Sequence, residues 1–129
     1  MKNLMTVIAL TILLLSCKKD VCDVNPNFKG NWIGKDGEYS YEFNIEDNSK
    51  GYFKVYLDSE IDKEHNGILR LENERLVMSG LYKFTVITEP QQLDSSITFI
   101  LHDYEYPVTW KMELKTPNHW GGSEVVYYK

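Results

Sequence analysis

The chain contains little cysteine and little histidine. Its 129 residues include two cysteines and three histidines, and the histidines, His65, His102 and His119, are far apart in the sequence. Cys17 and Cys22 form a C-x4-C pair, but no histidine and no further cysteine lies at metal-binding spacing from it. The sequence also lacks a nucleophile elbow, a phosphate-binding loop, a His-Glu-x-x-His helix and an EF-hand loop. We therefore expect no metal, no cofactor and no enzymatic activity.

Basic residues are fewer than acidic ones. The chain has 14 Lys and Arg against 19 Asp and Glu, and its formal net charge is −5 at pH 7. An acidic balance disfavours non-specific binding to nucleic-acid backbones and to anionic lipid headgroups. The composition therefore predicts that the protein has no nucleic-acid partner.

The sequence also lacks a hydrophobic run long enough to span a membrane. Its apolar run covers residues 4–15 and, as a helix, would reach about 18 Å, short of the ~30 Å hydrocarbon core. Lys2 precedes the run and Cys17 follows it closely, as in a signal peptide. A buried core helix is the alternative, but such a helix would show an amphipathic stripe. We expect residues 1–16 to be a helical signal peptide.

The residues around Cys17 resemble two sorting motifs. Leu14-Leu15-Ser16-Cys17 resembles the lipobox of bacterial lipoproteins, which implies cleavage before Cys17 and acylation of its thiol and new amine. Two or three acyl chains give stable membrane anchoring. Lys18-Lys19-Asp20 is similar to the Lys-plus-acidic signal that sends lipoproteins to the cell surface in one phylum of Gram-negative bacteria. Together the motifs imply an anchor in the outer membrane of the cell envelope, with outward display.

The segment after the lipobox is charged and turn-rich. Cys22 could form a disulfide with Cys17 in an oxidising compartment, but lipidation of Cys17 would exclude that bond. Residues 17–27, which include Asn25-Pro26-Asn27, are predicted to be a lipidated linker. All 17 aromatic residues lie at or after Phe28, so we expect a packed domain over residues 28–129.

Strict alternation of apolar and polar residues predicts strands. Tyr39, Tyr41, Phe43 and Ile45 alternate with polar residues, and residues 108–115 repeat the pattern. Turn clusters recur every 8 to 15 residues or so, which favours an all-β antiparallel meander barrel of eight or nine strands, with a β-sandwich as the alternative. The charged segment 58–66 is predicted to be a solvated loop. The predicted strands are 30–35, 38–46, 51–58, 67–72, 75–80, 82–88, 96–102, 107–115 and 123–129.

The start of the predicted domain resembles a known barrel family. Gly30-Asn31-Trp32 is similar to the Gly-x-Trp motif on the first strand of lipocalin-like (calycin) barrels. This resemblance implies that Trp32 closes one barrel end and packs beneath an arginine from a late strand. The last predicted strand contains no arginine, because Arg70 and Arg75 lie in mid-chain. In the alternative interpretation, Trp32 is an ordinary core residue.

Aromatic residues in two predicted loops are the candidate contacts. Tyr104 and Tyr106 lie in "DYEY" and Trp120 lies in "NHWGG", and loops between strands often carry binding sites. With Trp32, they indicate a small apolar or sugar-like ligand held in the barrel or at its mouth. Two alternatives stay open. The aromatic residues could bind a protein partner, as in an inhibitor, an immunity factor or an accessory subunit of an envelope complex, or they could simply cover the barrel end.

Overall fold

A computed structural model of the chain describes residues 19–129, apart from the side chain of His119. The predictions for the signal peptide, Cys17 and Lys18 lie outside these residues. The fold is all-β, with 71% of the described residues in strands and 8% in helices, and one antiparallel sheet of nine strands closes in a ring. The predicted all-β, barrel-like architecture is therefore confirmed. Within the described range, no helix is both long and apolar enough to cross a membrane.

The strands differ widely in length. They are β1 (Lys19–Asp20), β2 (Gly30–Asp36), β3 (Tyr39–Ile45), β4 (Lys50–Leu57), β5 (Glu60–Glu72), β6 (Arg75–Met78), β7 (Tyr82–Leu101), β8 (Tyr104–Lys115) and β9 (Glu124–Tyr128). The helical elements are α1 (Val21–Val24) and two 3₁₀ turns at Pro26–Phe28 and Asn118–Trp120.

The sheet is an up-and-down meander. From β2 to β9, each strand pairs with the next, and β9 returns to pair with β2 through Ile33↔Tyr128 and Gly34↔Tyr127. The short β1 adds to β5 through Lys19↔Leu71. The ring therefore consists of eight strands, with β1 attached outside the meander order.

The barrel interior is filled by large side chains. Phe43 packs against Phe53 and Phe53 against Phe84, with ring centroids 5.1 Å and 4.8 Å apart. Since these strands alternate, their other face meets water. A barrel of eight strands is just wide enough for side chains to fill it. The fully buried large residues are Trp32, Tyr127, Phe28, Phe43, Phe53, Phe84, Ile45, Leu69, Leu76, Met78, Met112 and Leu114.

The prediction of a loop over residues 58–66 is wrong. Asp58 and Ser59 form the turn after β4, and residues 60–66 form the first half of β5, which pairs with β4 from Leu57↔Glu60 to Lys50↔Ile68. Most side chains on both faces of the segment are exposed, so the sequence shows no apolar alternation. Asn66-Gly67 is not a turn. A Cβ atom on Gly67 would lie 1.7 Å from the Ser79 hydroxyl oxygen, so this position requires glycine for close packing.

Two further boundaries differ from the prediction. The predicted strands 82–88 and 96–102 belong to one strand, β7, which also includes the residues between them. The pairing of β7 with β8 shifts register three times in this region, between Val86 and Ile97. "DYEY" is not a loop, because β8 already begins at Tyr104. The turn is His102–Asp103, and both residues have positive φ angles, 50° and 65°, as two-residue hairpin turns require.

The distal part of the β7–β8 hairpin, residues 97–108, folds back on the outer barrel wall; we call it the hairpin arm. The Phe99 ring lies 5.2 Å from that of Tyr128, and the Lys35 ammonium donates to the Ile100 carbonyl at 3.3 Å. At the tip, the two ring nitrogens of His102 are 3.0 Å and 2.9 Å from hydroxyl oxygens of Ser40 and Ser59. The arm is therefore attached along its length.

Residues 19–27, the described part of the predicted linker, pack against the sheet. β1 pairs with β5, and Val21 is fully buried in the core. The Cys22 backbone N–H donates to the Ser49 hydroxyl at 3.0 Å, and the Cys22 thiol is free. The packed unit therefore begins before Phe28. One buried valine in a charged segment gives no periodic signal, which is why the sequence indicated a linker.

Candidate ligand-binding site

One end of the barrel is closed around Trp32. This residue is fully buried, and its indole N–H donates to the Phe28 carbonyl at 2.7 Å. The ammonium of Lys129 lies 4.6 Å from the Trp32 ring centroid and 5.1 Å from that of Trp110. A cation therefore covers the tryptophan ring, and it belongs to Lys129 rather than to an arginine.

The Lys129 ammonium is held by backbone carbonyls. It donates to the Asn27 carbonyl at 2.7 Å and to the Lys29 carbonyl. Burial lowers the pKa of Lys129, because removing water from the ammonium disfavours its charged form. Both polar groups described at this closed end, the Trp32 indole N–H and the Lys129 ammonium, thus have partners.

The other end of the barrel contains a cleft of about 330 Å³, which we call the mouth cleft. Trp32 and Asp36 are four residues apart on β2, so the two ends are separated by ~13 Å along this strand. Three parts of the chain form the cleft: the β2–β3 hairpin, the β4–β5 hairpin and the β8–β9 loop. The lining residues are Asp36, Tyr39, Tyr41, Val55, Asp62, Lys63, Trp120, Gly121 and Ser123.

Trp120 is fixed in the β8–β9 loop by stacking. Its ring lies parallel to Phe53, with an interplanar angle of 6° and centroids 5.5 Å apart, and it stacks on Tyr82 and His65 at 4.6 Å and 4.8 Å. The loop base is closed by the Ser123 N–H, which donates to the Thr116 hydroxyl at 2.8 Å. A preorganised indole therefore forms one wall of the cleft.

One tyrosine of the cleft wall packs against a second, buried tyrosine. Tyr41 lines it, and Tyr127 is fully buried next to Tyr41, with ring centroids 6.2 Å apart. Gly34 makes room for Tyr127, since a Cβ at this position would lie 3.2 Å from the tyrosine ring and 2.9 Å from the Val126 carbonyl. Among the described residues, the Tyr127 hydroxyl has no hydrogen-bond partner.

Charge in the cleft acts on both tyrosines. Burial and the nearby Asp36 carboxylate raise the pKa of Tyr41. Burial raises the pKa of Tyr127 well above its ordinary value, and electrostatic repulsion from Tyr41 and Asp36 adds to this effect. Both hydroxyls are thus neutral donors at physiological pH. The lining also contains Asp62 and Lys63, so the cleft combines aromatic faces with carboxylate acceptors and one cationic donor.

The structure brings one of the four predicted contact residues to this cleft. Trp120 lines it, whereas Trp32 is at the closed end with no exposed surface. Tyr104 and Tyr106 lie on the hairpin arm with 69% and 39% of their surface exposed. Sequence reasoning missed Tyr127. The last strand reads Val125-Val126-Tyr127-Tyr128, so both of its faces carry one valine and one tyrosine, and the sequence does not show which tyrosine faces inward. A missing hydrogen-bond partner can also be seen only in three dimensions.

Comparisons with known proteins assign no family to this chain. No protein-family model matches it, and no curated protein and no solved structure shows a significant match. Within residues 19–129, there is also no group of three His, Cys, Asp or Glu side chains that could hold a metal ion.

Proposed function

We propose that this protein is a lipid-anchored lipoprotein of the cell envelope whose barrel binds a small, polar, sugar-like molecule in the mouth cleft. The lipobox-like residues before Cys17 support the anchor. The filled interior argues against an apolar ligand deep inside the barrel, because a ligand there would have to displace core side chains. Binding at the rim of the barrel requires no such displacement.

The buried Tyr127 hydroxyl is the observation that carries the ligand proposal. An unpartnered buried donor costs about 1–3 kcal/mol, so native proteins rarely leave one without a reason. This hydroxyl lies behind Tyr41 and close enough to Asp36 for that carboxylate to raise its pKa. A ligand oxygen that enters the inner side of the cleft would accept its proton.

The lining favours a polyol over other small molecules. The faces of Trp120 and Tyr39 offer flat apolar surfaces, and the carboxylates of Asp36 and Asp62 accept hydrogen bonds from hydroxyl groups. A sugar ring presents both C–H faces and hydroxyl groups. Two carboxylates in the lining disfavour an anionic ligand, because like charges repel across so short a distance.

Ligand binding is tested by titrating the protein with neutral mono- and disaccharides and following chemical shifts by NMR. We expect shifts for residues of the mouth cleft, and binding about tenfold weaker in Tyr127→Phe because one hydrogen bond is lost. Tyr128→Phe is the matched control, since this neighbouring tyrosine faces outward. The ligand proposal fails if no saccharide shifts the cleft residues, or if Tyr127→Phe binds as tightly as the natural protein.

Anchoring is tested separately by mass spectrometry of the protein produced in a Gram-negative host. We expect a mature chain that begins at Cys17 and carries the added mass of a diacylglycerol and an amide-linked acyl chain. Cys17→Ser should remain unprocessed and unacylated. A mature natural chain without lipid would contradict the anchor and leave the ligand proposal intact.

Protein binding through the hairpin arm is a second candidate. Exposed apolar residues concentrate there: Ile97, Ile100, Tyr104 and Tyr106 are 42%, 53%, 69% and 39% exposed. Aromatic residues of this kind are enriched in protein interfaces. A photo-crosslinker placed at position 104 should give one discrete adduct in envelope extracts, and the same probe at Glu60, on the exposed part of β5, should not. Equal labelling from both positions would refute this candidate.

A further inference from the structure

We infer that the outer wall of β6, β7 and β8 carries a second site, which binds a phosphate-like anion through Arg75, Lys83 and Lys115. These three side chains line a surface groove of about 360 Å³, here called the cationic groove. Neither the ligand proposal nor the anchor proposal requires it. Its chemistry is also opposite to that of the mouth cleft.

Strand register explains why the three cations meet. Thr85 pairs with Arg75 on one side and with Lys115 on the other, so the three residues form one row across neighbouring strands. Lys83 is two residues before Thr85 and therefore faces the same way. With strands ~4.8 Å apart, the backbones of Arg75 and Lys115 are ~10 Å apart. Their side chains can therefore reach one anion between them.

The groove concentrates positive charge in an acidic chain. Its lining contains no carboxylate, although the chain has a net charge of −5. Ion pairs join other cations of residues 19–129 to carboxylates, namely Lys29 to Asp47, Lys54 to Glu64 and Arg70 to Asp20. Arg75, Lys83 and Lys115 take part in none of them. Three like charges in one groove repel one another, and a bound anion would remove that repulsion.

Glu72 and Glu124 flank the row without entering the groove. Register places Glu72 opposite Arg75, and Glu124 opposite Lys115, on the strands at either side. Neither lines the groove. These two carboxylates mark the edges of the positive surface, which spans three strands.

The donor set fits a phosphate group. The guanidinium of Arg75 can bind two phosphate oxygens at once, and the two lysines add point charges. The Thr85 hydroxyl and the Asn118 amide also line the groove and supply neutral donors. The acidic net charge opposes non-specific attraction of anions, so binding here depends on these particular side chains rather than on a general positive field.

A phosphate group could come from a soluble molecule or from a lipid headgroup. The headgroup source rests on the proposed anchor at Cys17. Cys17 precedes Lys19 by two residues in the sequence, and Lys19 pairs with Leu71 of β5. Arg75, at one side of the groove, begins β6, the strand that pairs with the same part of β5. An anchor at Cys17 would therefore favour a headgroup as the source of the phosphate.

The experiment has a soluble and a membrane arm. In the first, the full chain in detergent is titrated with pyrophosphate and followed by calorimetry. In the second, full-length Cys17→Ser protein is floated with vesicles of phosphatidylglycerol and phosphatidylcholine, or of phosphatidylcholine alone. Each arm compares the natural groove with Arg75→Gln/Lys83→Gln/Lys115→Gln. The control, Lys29→Gln/Lys50→Gln/Lys111→Gln, removes the same charge from exposed lysines elsewhere.

We expect the groove variant to bind at least about tenfold more weakly than the control in one arm or in both. A loss with pyrophosphate alone identifies a soluble phosphate ligand. A loss with anionic vesicles alone identifies a headgroup, and losses in both arms mean that the groove accepts either source. Equal behaviour of the groove and control variants in both arms overturns the proposal. If the triple variant fails to fold, Lys83→Gln and Lys50→Gln replace the pair in the same comparison.

Discussion

The two ends of this barrel are both built from aromatic side chains, but they differ in whether their buried polar atoms have hydrogen-bond partners. At the closed end, the Trp32 indole N–H and the Lys129 ammonium each have carbonyl partners. Next to the mouth cleft, the buried Tyr127 hydroxyl has none among the described residues. Satisfied groups stabilise the fold, whereas an unsatisfied one retains the capacity to bind something else. This difference separates a structural cap from a candidate binding site.

Removing the indole from each end should give the largest contrast. Trp32→Ala leaves a cavity in the core, and we expect a loss of about 3–5 kcal/mol in the free energy of unfolding. Trp120→Ala removes a half-buried ring stack and should cost about 1–2 kcal/mol. Urea unfolding of both variants measures the difference. Equal losses would mean that Trp120 is as structural as Trp32.

The lysine cap should contribute a smaller amount. Lys129→Met keeps most of the apolar side chain but removes the donor to two carbonyls and the cation over two rings, which predicts a loss of about 1–2 kcal/mol. Lys129→Arg should recover part of it because the charge is kept. Lys50→Met, at an exposed lysine, is the control for urea unfolding. If Lys129→Met and Lys50→Met have the same free energy of unfolding, the Lys129 cap does not stabilise the fold.

Removing the unsatisfied hydroxyl should have the opposite sign. Tyr127→Phe deletes a buried donor without a partner, so we expect the free protein to be unchanged or more stable by up to about 1 kcal/mol. Thermal unfolding without ligand tests this expectation, with Tyr128→Phe as the control. A loss above about 1 kcal/mol would show that the hydroxyl is satisfied in solution, which would remove the main support for the mouth cleft.

Satisfied tyrosines on the outer wall give the smallest effect. Tyr52 and Tyr56 both donate to the Glu42 carboxylate, at 2.5 Å and 3.1 Å. The hydrogen bond to Glu42 raises the pKa of Tyr52 to about 12. Burial, and after it the charge of Glu42, raises the pKa of Tyr56 to about 12. The folded state therefore holds these protons more tightly than the unfolded state. Their contribution to stability is complete below pH 10 and is lost as the pH rises towards about 12.

The variant Glu42→Gln should lower both of these pKa values, because the negative charge that opposes ionisation is gone. Absorbance titration of tyrosinate measures the shift, and Glu60→Gln serves as a charge-matched control. Tyr127 should titrate as before, since its pKa is raised by burial, Tyr41 and Asp36. Unchanged titration of Tyr52 and Tyr56 would contradict the assigned role of Glu42.

The sequence predicts the strands that have one wet and one dry face. Residues 39–45 and 108–115 alternate because their inward side chains fill the barrel, and both lie in strands of the structure. Residues 60–66 and 89–96 lie in strands whose two faces are mostly exposed, so their sequence shows no alternation of apolar and polar residues. Pro90 reinforced the error, since it is usually a turn signal.

The candidate site was harder to predict than the fold. Trp120 was identifiable because it is an aromatic residue in a loop that remained a loop. The other walls come from hairpins far apart in the chain, and the Lys129 cap joins the last residue of the sequence to the first long strand. Contacts of this kind depend on ring closure, which local residue patterns do not encode.

The pairing of β1 with β5 also sets where the proposed anchor would join the barrel. With a lipid on Cys17, the anchor would precede Lys19, which pairs with Leu71, by two residues of sequence. Along β5, nine residues separate Asp62 at the cleft from Leu71 beside Lys19, which is ~30 Å of strand. The opening would then lie at the opposite end of β5 from the anchored strand β1.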